Sequence, residues 1–401
     1  MKNIKYKFVF WLFLLPLIFI CGCWDAKDLQ NLAIVSAVGI DVDEKLPGKV
    51  VVTVQIIKPG EVRSASGGGG GGESSEGSSA SQKPAYVMVS SSGNTISEVF
   101  QNFVHQVDRE LYLSQNQIIV FGKEAARRGV YPYVDYFIRI RESRETTWIL
   151  VAEGKASEIL ETNLGLEKIP AIAINRLVVN RELASQASGT TLHDFVSSML
   201  SETSAAYTSL IQVTGTEDKK IRLAGTAVFK EDKFIGAFDK TETRGFLWVI
   251  NKVKSGVITV KSARGEFNLD VLQANTKMVP EIRQGKVKIK LVINVQYGVR
   301  GTEKSEDFTK PDLTESLQIL VGQAVRREVM AAVGKAFQFD ADVFGFGEAV
   351  HRKFPKEWEK MKPEWEQQFL MTDVRVKTNN RQRTIGLNVK ALLPDTRYFQ
   401  R

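Results

Sequence analysis

The chain has 401 residues, of which 43% are hydrophobic and 25% are charged, and this balance excludes a wholly disordered protein. A chain of this length exceeds the size at which one core keeps growing, so two or more domains are expected. The formal net charge is +8, but the basic residues are dispersed among acids without any zinc-finger, ribonucleoprotein or basic-zipper pattern, which argues against nucleic-acid binding.

The N-terminal residues have the pattern of a secretory signal. Three lysines precede an unbroken apolar run at residues 8–20, which is shorter than the about 20 residues that a membrane-spanning helix needs. Gly22 then supplies a small residue before Cys23, an arrangement that resembles the lipoprotein box of bacteria. We therefore expect residues 1–22 to be removed as a signal peptide and Cys23 to carry the lipid. An ordinary secretory peptide and an uncleaved anchor are the alternatives.

The chain has two cysteines, Cys21 and Cys23, and both lie in this processing region. If cleavage falls before Cys23, the one remaining thiol is acylated, which excludes disulfides, thiolate metal sites and cysteine nucleophiles. Loss of three lysines with the signal peptide leaves a net charge of +5. This modest positive charge beside a membrane anchor favours an anionic lipid surface at short range.

Residues 23–205 are predicted to form an N-terminal α/β domain. Apolar runs at residues 32–41 and 49–58 predict a β-hairpin. Residues 64–83 are rich in glycine and serine and contain no apolar side chain larger than alanine, which predicts a flexible loop. A strand pattern resumes at residue 85, so this loop is interpreted as an insertion between neighbouring strands. A phosphate-binding loop is not favoured, because no Gly-Lys-Ser/Thr motif follows the glycines.

Strands and helices alternate in the rest of this domain, which favours a mixed α/β layer. Thr95 and Glu98 form a capping-box pattern that predicts a helix continuing to about residue 108. A helix at residues 123–139 is expected to bend or restart near Pro132. Further strands are predicted at residues 117–121 and 146–152, and further helices at residues 157–162, 170–187 and 192–202.

Residues 206–401 are predicted to form a C-terminal α/β domain that contains a long helix at about residues 312–337. Residues 286–291 alternate lysine with apolar side chains, which is typical of a strand with one wet face. The other predicted elements are a hairpin at residues 223–238, a helix at 241–250, and strands at 256–261, 266–279, 286–299, 373–377 and 384–392. Together the two halves predict an α/β (α+β) fold of two or three domains, with mixed and antiparallel sheets flanked by helices.

Charged and aromatic residues are closely spaced after the long helix. Glu348, His351 and Arg352 precede Trp358, and arginine together with aromatic residues favours interfaces. One hypothesis is that this patch contacts a partner subunit, and an equally open one is that it is a corner that stabilises the fold. The nearby Gly345-Phe346-Gly347 lacks the strand and third glycine of a dinucleotide site, so tight packing between helices is expected.

No pattern of catalytic or metal-binding residues is present. His105, His193 and His351 are far apart in sequence and lack the spacing of metal ligands, and no Gly-x-Ser-x-Gly motif occurs. We therefore predict a protein that is not an enzyme and that needs neither a metal nor another cofactor.

Three blocks of the chain resemble the C subunits of bacterial spore germinant receptors, the GerC-type lipoproteins. The blocks are Gly22-Cys23-Trp24-Asp25 with Leu29 and residues 34–41, residues 227–248, and residues 344–365. Together they extend over essentially the whole mature chain, and the last block is long enough to be specific. The glycine and serine insertion at residues 64–83 is the one departure from the family pattern.

The resemblance implies a non-catalytic protein that is anchored through Cys23 to the outer face of the spore inner membrane. It also implies assembly with two integral membrane subunits, A and B, into a receptor that detects nutrients and triggers germination. The alternative function is that of a free-standing solute-binding lipoprotein that captures a nutrient itself, for which a pocket lined by convergent polar groups is expected. An envelope hydrolase would need an activated nucleophile that the sequence does not display.

Overall fold

The computed structural model describes residues 29–46, 48–63, 84–162, 165–302 and 310–383. The predicted signal peptide, Cys23, the glycine and serine segment and the predicted strand at residues 384–392 lie outside these ranges. Within the described ranges the chain forms two β-sheets with helices packed against both. The predicted α+β fold class is confirmed.

The first sheet is built from ten strands in the described part of the chain. Its strands are β1 (Leu32–Val42), β2 (Val50–Ile57), β3 (Tyr86–Gly93), β4 (Glu110–Tyr112), β5 (Ile118–Phe121), β6 (Trp148–Ala152), β7 (Thr190–Thr191), β8 (Tyr207–Thr214), β9 (Lys220–Lys230) and β10 (Lys233–Phe238). The helices between them are α1 (Pro59–Arg63), α2 (Ile96–Asn102), α3 (Lys123–Arg128), α4 (Tyr131–Arg139), α5 (Ala156–Glu161), α6 (Pro170–Asn180) and α7 (Leu192–Met199).

The strand order of this sheet is β10-β9-β8-β6-β5-β1-β2-β3, with β4 beside β1 and β7 beside β6. Strands β1, β5, β6 and β8 run parallel, and antiparallel strands extend the sheet on either side. Because β2 pairs with β3, residues 64–83 connect neighbouring strands, as predicted. The C-terminal domain start at residue 206 stays a prediction, and the three strands that follow that residue belong to the first sheet.

Both faces of the first sheet are buried. On one face Val38 and Phe121 belong to a core with residues of α2, α4 and α7, and on the other Ile118 and Leu150 belong to a core with residues of α5 and α6. A strand that is buried on both faces needs apolar side chains at successive positions. This explains why β1 and β5 appear in the sequence as mostly apolar runs.

The second sheet is smaller and is covered by helices on one face. Its strands, in spatial order, are β11 (Gly256–Ser262), β12 (Gly265–Arg283), β13 (Lys286–Thr302) and β14 (Asp373–Gln382). The first three are antiparallel, and β14 pairs in parallel with β13. The helices of this half are α8 (Lys240–Val249), α9 (Pro311–Phe339), α10 (Phe346–Lys353), α11 (Pro355–Met361) and α12 (Trp365–Leu370). None of the helices that the structure describes is long and apolar enough to cross a membrane.

The helix predicted at residues 123–139 is broken in the middle. Gly129 has a φ of 124°, a conformation open to glycine, and the amide of Val130 donates to the carbonyl of Asp232 at 2.9 Å. The chain then restarts as α4, with Pro132 in its first turn, as expected. A contact with a residue far along the sequence therefore fixes the break.

Helix α2 begins as predicted but is shorter than expected. The Thr95 hydroxyl accepts from the amide of Glu98 at 3.2 Å, whereas the Glu98 carboxylate accepts from the amide of Asn94 at 2.8 Å. The helix ends at Asn102 and continues as a 3₁₀ turn over Phe103–His105, so the predicted end near residue 108 is wrong. Phe103 is the last fully buried side chain of this segment, and Val107 packs against the same core while partly exposed.

Candidate functional site

The predicted patch lies on α10 and α11, next to the end of α9. Glu348, His351 and Arg352 are exposed on α10, whereas Trp358 on α11 is only 1% exposed. The His351 ring stacks on the Trp358 indole with ring centroids 5.7 Å apart, and Glu348 accepts a hydrogen bond from the Thr203 hydroxyl at 3.3 Å. The structure therefore brings these residues to one corner, with three side chains accessible and Trp358 supporting them from within.

A buried aspartate fixes the start of α10. Asp342 is 7% exposed, and its carboxylate accepts from the amides of Phe346 and Gly347 at 3.0 and 2.7 Å. The first amides of a helix have no partner within the helix, so this carboxylate satisfies two of them. Burial raises the pKa of Asp342 to about 6, although the hydrogen bonds from the backbone amides oppose this change.

Aromatic rings fill the seam between α10, α11 and α12. Trp358 meets Trp365 edge to face, with centroids 5.1 Å apart, and Phe344 stacks on Phe346 with centroids 5.0 Å apart. A Cβ on Gly347 would lie 2.9 Å from the Trp365 indole nitrogen, so only glycine fits there. The expected tight packing at Gly345-Phe346-Gly347 is therefore confirmed at Gly347.

A cleft of about 530 Å³ lies beside this corner, between the two sheets. The segment at residues 198–206, the β9–β10 turn, the end of α9 and α12 line it. The Lys230 ammonium bridges the carboxylates of Asp340 and Glu366 at 2.7 and 3.1 Å. Partial burial lowers the pKa of Lys230, but the two carboxylates outweigh it and the net pKa is raised. Lys230 of β9 thus connects the first sheet to Asp340, just after α9, and to Glu366 of α12 across this cleft.

A second polar cluster is buried where α8 crosses α9. The Arg244 guanidinium binds both carboxylate oxygens of Glu328, with Nε to Oε2 at 2.8 Å, and also donates to the carbonyl of Val257 at 2.7 Å. The Trp248 indole donates to the same carboxylate at 2.9 Å. With Glu328 only 4% exposed, this cluster neutralises a charge that would otherwise be costly to bury.

The sequence did not point to Asp342, Lys230 or the pair of Arg244 with Glu328 as functional or structural sites. A signal existed for the pair, because Glu328 is a charged residue on the apolar side of the long helix, and a buried carboxylate needs a cation. Lys230 carries no comparable signal, since its two partners are distant in sequence and only the fold brings them together. The lipidation residue predicted at Cys23 lies outside the described residues.

The structure provides no candidate metal centre within the described ranges, because no three histidine, cysteine, aspartate or glutamate side chains there are grouped to hold an ion. His105 lies in the turn after α2, His193 on α7 and His351 on α10. The expectations that the protein needs no metal and no other cofactor stay predictions.

Two family models match consecutive parts of the chain. The model described as "Spore germination protein N-terminal domain" matches residues 25–213, and the model described as "Spore germination B3/ GerAC like, C-terminal" matches residues 224–386. The two matches together include more than half of the chain.

Relatives are similar over nearly their whole length. Spore germination protein KC of Bacillus subtilis (strain 168) is 26% identical over 380 residues, which is 90% of each chain. Spore germination protein B3 of the same organism is 24% identical over 367 residues, or 90% of this chain and 92% of the relative.

A solved structure has the same fold. The crystal structure of the GerBC protein matches with a TM-score of 0.54 at 18% identity, over 89% of this chain and 99% of that one. Both halves of the chain are thus accounted for by one family, in sequence and in fold. The chain belongs to the GerC-type family of spore germination proteins.

Proposed function

We propose that this protein is the C subunit of a nutrient germinant receptor, held by an acylated Cys23 on the outer face of the spore inner membrane. It acts without catalysis, through assembly with the integral membrane subunits A and B. The observation that carries the proposal is the match of both family domains, at residues 25–213 and 224–386. The Gly22-Cys23 box just before the first domain supports the anchor, because two acyl chains hold a protein stably at a membrane.

The anchor is tested by mass spectrometry of the N-terminal peptide of the full-length protein from spore membranes. We expect a chain that begins at Cys23 and carries a diacylglyceryl group, and we expect Cys23→Ala to lose this group and to leave the membrane fraction or retain its signal peptide. Cys21→Ala is the matched control, because it removes the neighbouring thiol and keeps the acceptor. An unmodified Cys23 in the wild-type protein would contradict the anchor.

We assign the assembly contact to the exposed side of α10, with Glu348, His351 and Arg352. These side chains are accessible, and the buried Trp358 with the Asp342 cap holds the helix in place beneath them. Arg352 has no hydrogen bond or ion pair within the described ranges, so its charge is available to a partner. Reversing that charge therefore tests assembly without removing a contact of the fold.

The variant Arg352→Glu should lower the recovery of two polytopic membrane proteins when the tagged chain is purified from spore membranes. Arg327→Glu is the matched control, because Arg327 is also exposed on a helix and carries the same charge. Both variants should unfold at the wild-type temperature. Full recovery of both membrane proteins with Arg352→Glu would remove α10 as the contact and leave it as a corner of the fold.

A second candidate function is capture of a nutrient by the cleft between the sheets. Its volume of about 530 Å³ lies in the range of small-molecule sites, and it offers hydroxyl groups, carboxylates and the Lys230 ammonium. Titration calorimetry of the purified protein with amino acids and sugars tests this function. Saturable binding that Ser204→Trp abolishes would favour solute capture, and absence of binding leaves the receptor subunit as the function.

A further inference from the structure

The outer face of the second sheet points away from α9 and carries an ordered set of charges. Ile289 and Leu291 of β13 are fully buried in the core with α9. Because side chains alternate along a strand, Lys288 and Lys290 must point to the opposite face. The same alternation applies to β12 and β14, so strand register determines which outer side chains are neighbours.

The register arranges these side chains in four successive rows. Arg283 is opposite Lys286, Lys288 lies between Glu281 and Asp373, Lys290 lies between Val279 and Arg375, and Val292 lies between Lys277 and Lys377. We call the seven basic residues of these rows the basic face: Lys277, Arg283, Lys286, Lys288, Lys290, Arg375 and Lys377. With the two acids subtracted, the basic face has a net charge of +5.

Like charges face each other within these rows. Arg283 is directly opposite Lys286, and Lys290 is directly beside Arg375, an arrangement that destabilises a sheet. The two acids are already engaged, Glu281 with Arg283 at 3.0 Å and Asp373 with Arg375 at 3.1 Å and Lys288 at 3.6 Å.

Four lysines of the basic face have no ion pair among the described residues: Lys277, Lys286, Lys290 and Lys377. The repulsion within the rows therefore gives the fold no benefit. A partner that supplies negative charge would relieve it.

The charge has a sharp boundary along the strands. The next row consists of Asn275, Asn294 and Asn379, in which the Asn379 amide donates to Asn294 at 2.8 Å. The basic face therefore occupies the end of the sheet that carries the β12–β13 turn, and the neutral amides occupy the middle. α10 packs against the opposite, buried face of the sheet, so the two surfaces are separate.

We propose that the basic face binds the anionic headgroups of a phospholipid bilayer. Five of its seven basic residues are lysines, and the rows include no aromatic side chain and only Val279 and Val292 as apolar ones. The cores of protein interfaces are depleted in lysine and enriched in aromatic residues, and single-stranded nucleic acids need aromatic side chains for stacking. An array of hydrated point charges fits a diffuse anionic surface instead. This contact is additional to an acyl anchor and sets which face of the second sheet is turned to the membrane.

Lysine acetylation of the full-length protein, reconstituted in vesicles and read by mass spectrometry, tests the proposal. One set of vesicles contains phosphatidylcholine alone, and the other contains an equal mixture with phosphatidylglycerol. We expect Lys286, Lys290 and Lys377 to react about fivefold more slowly in the anionic vesicles. This protection should disappear in about 1 M NaCl, where the Debye length falls to about 3 Å. The exposed Lys45 and Lys58 should react equally in both.

The wild-type protein should bind anionic vesicles more strongly than vesicles of phosphatidylcholine alone. The triple variant K286E/K290E/K377E should lose this preference for anionic vesicles. The matched control K45E/K58E/K219E changes the net charge by the same amount at exposed positions of the first sheet and its loops and should keep it. Equal acetylation of the basic face in both lipid mixtures would overturn the proposal. Protection that appears only in native membranes containing other proteins would also overturn it and would assign the face to an acidic protein surface.

Discussion

Two buried aspartates hold the first turns of short helices. Asp41 accepts from the amides of Ala156 and Ser157 at 2.8 and 3.0 Å, and Asp342 does the same for α10. Burial raises the pKa of both carboxyls, because loss of water outweighs the hydrogen bonds that they accept. Each residue therefore fixes local geometry and makes stability depend on pH.

The pH dependence of Asp342 has a definite sign. Its pKa rises from an ordinary 3.8 to about 6 in the folded protein, so the folded state binds this proton more tightly than the unfolded chain. Its contribution to the free energy of unfolding is fully present below about pH 4 and is lost as the pH rises through 6. The loss amounts to roughly 3 kcal/mol, at about 1.36 kcal/mol per pKa unit.

The variant Asp342→Asn removes this titration and keeps an oxygen that can accept from one helix amide. We expect the difference in unfolding free energy between wild type and variant to fall by roughly 3 kcal/mol from pH 4 to pH 7. Urea unfolding followed by tryptophan fluorescence measures it. Parallel pH profiles for the two proteins would contradict the assigned pKa.

The second prediction concerns the stability that the buried pair of Arg244 and Glu328 contributes. Arg244→Met leaves the Glu328 carboxylate buried without its cation and should cost about 3 to 5 kcal/mol. Adding Glu328→Gln removes the unpaired charge and keeps an acceptor for the Trp248 indole, so the double variant should be more stable than Arg244→Met alone. Denaturant unfolding of the three proteins checks this order.

An exposed pair supplies the control. Arg300 and Asp270 are 2.8 Å apart on the second sheet, and the arginine side chain is 64% exposed. Arg300→Met should change the free energy of unfolding by less than about 1 kcal/mol. A cost at Arg300 equal to that at Arg244 would mean that burial is not the cause.

At the scale of elements, the crossing of α8 and α9 depends on one glycine. A Cβ on Gly245 would lie 1.9 Å from the backbone oxygen of Glu328, closer than any real contact. The helices can approach this closely only because Gly245 has no side chain, and the approach lets Arg244 reach the carboxylate. Glycine is therefore a packing requirement here, within a helix where it otherwise costs stability.

We expect Gly245→Ala to lower the melting temperature strongly, because the two helix backbones must separate. Gly334→Ala on α9 is the matched control, since a Cβ there has open space around it. That change should stabilise the protein by about 0.5 to 1 kcal/mol, the usual gain from replacing glycine within a helix. Calorimetry measures the melting temperatures of both variants. An unchanged melting temperature for Gly245→Ala would refute the close crossing of α8 and α9.

Local sequence patterns were sufficient to predict some strands and helices, but not how all of the strands pair. The alternation at residues 286–291 predicted β13 because one face of the second sheet is wet. The helix predicted at residues 241–250 is α8, which begins one residue earlier, after the capping box of Asp239 and Glu242. The parallel pairing of β14 with β13 joins residues far apart in sequence, so no local pattern could predict it.

The candidate site was also predictable only in part, because some of its residues are far apart in sequence and leave no local pattern. Glu348, His351 and Trp358 are close in sequence, so their spacing on helices α10 and α11 indicated one patch. The cleft, by contrast, is made by Lys230 with Asp340 and Glu366, which come from three distant elements. Trp358, Trp365 and Phe369 recur at helical spacing, which predicts a seam between short helices, and the burial of all three side chains confirms that prediction.

In the whole molecule, the two sheets share a core, because Val228 and Phe238 of the first sheet are buried together with residues of the second sheet and of α9. Lys230 adds an ionic bridge between the two halves. The two family domains match the chain in order, at residues 25–213 and 224–386. We assign three separate contacts to this protein: an N-terminal lipid anchor, the α10 corner for partner subunits, and the basic face for the bilayer.

The measurement that tests the receptor assignment most directly is purification of the tagged wild-type protein from spore inner membranes, with its partners identified by mass spectrometry. We expect two polytopic membrane proteins of a germinant receptor to be recovered with it, and we expect Cys23→Ala to reduce this recovery while Cys21→Ala does not. Recovery of the wild-type chain alone, together with binding of a nutrient in solution, would contradict the receptor assignment and establish a solute-binding protein.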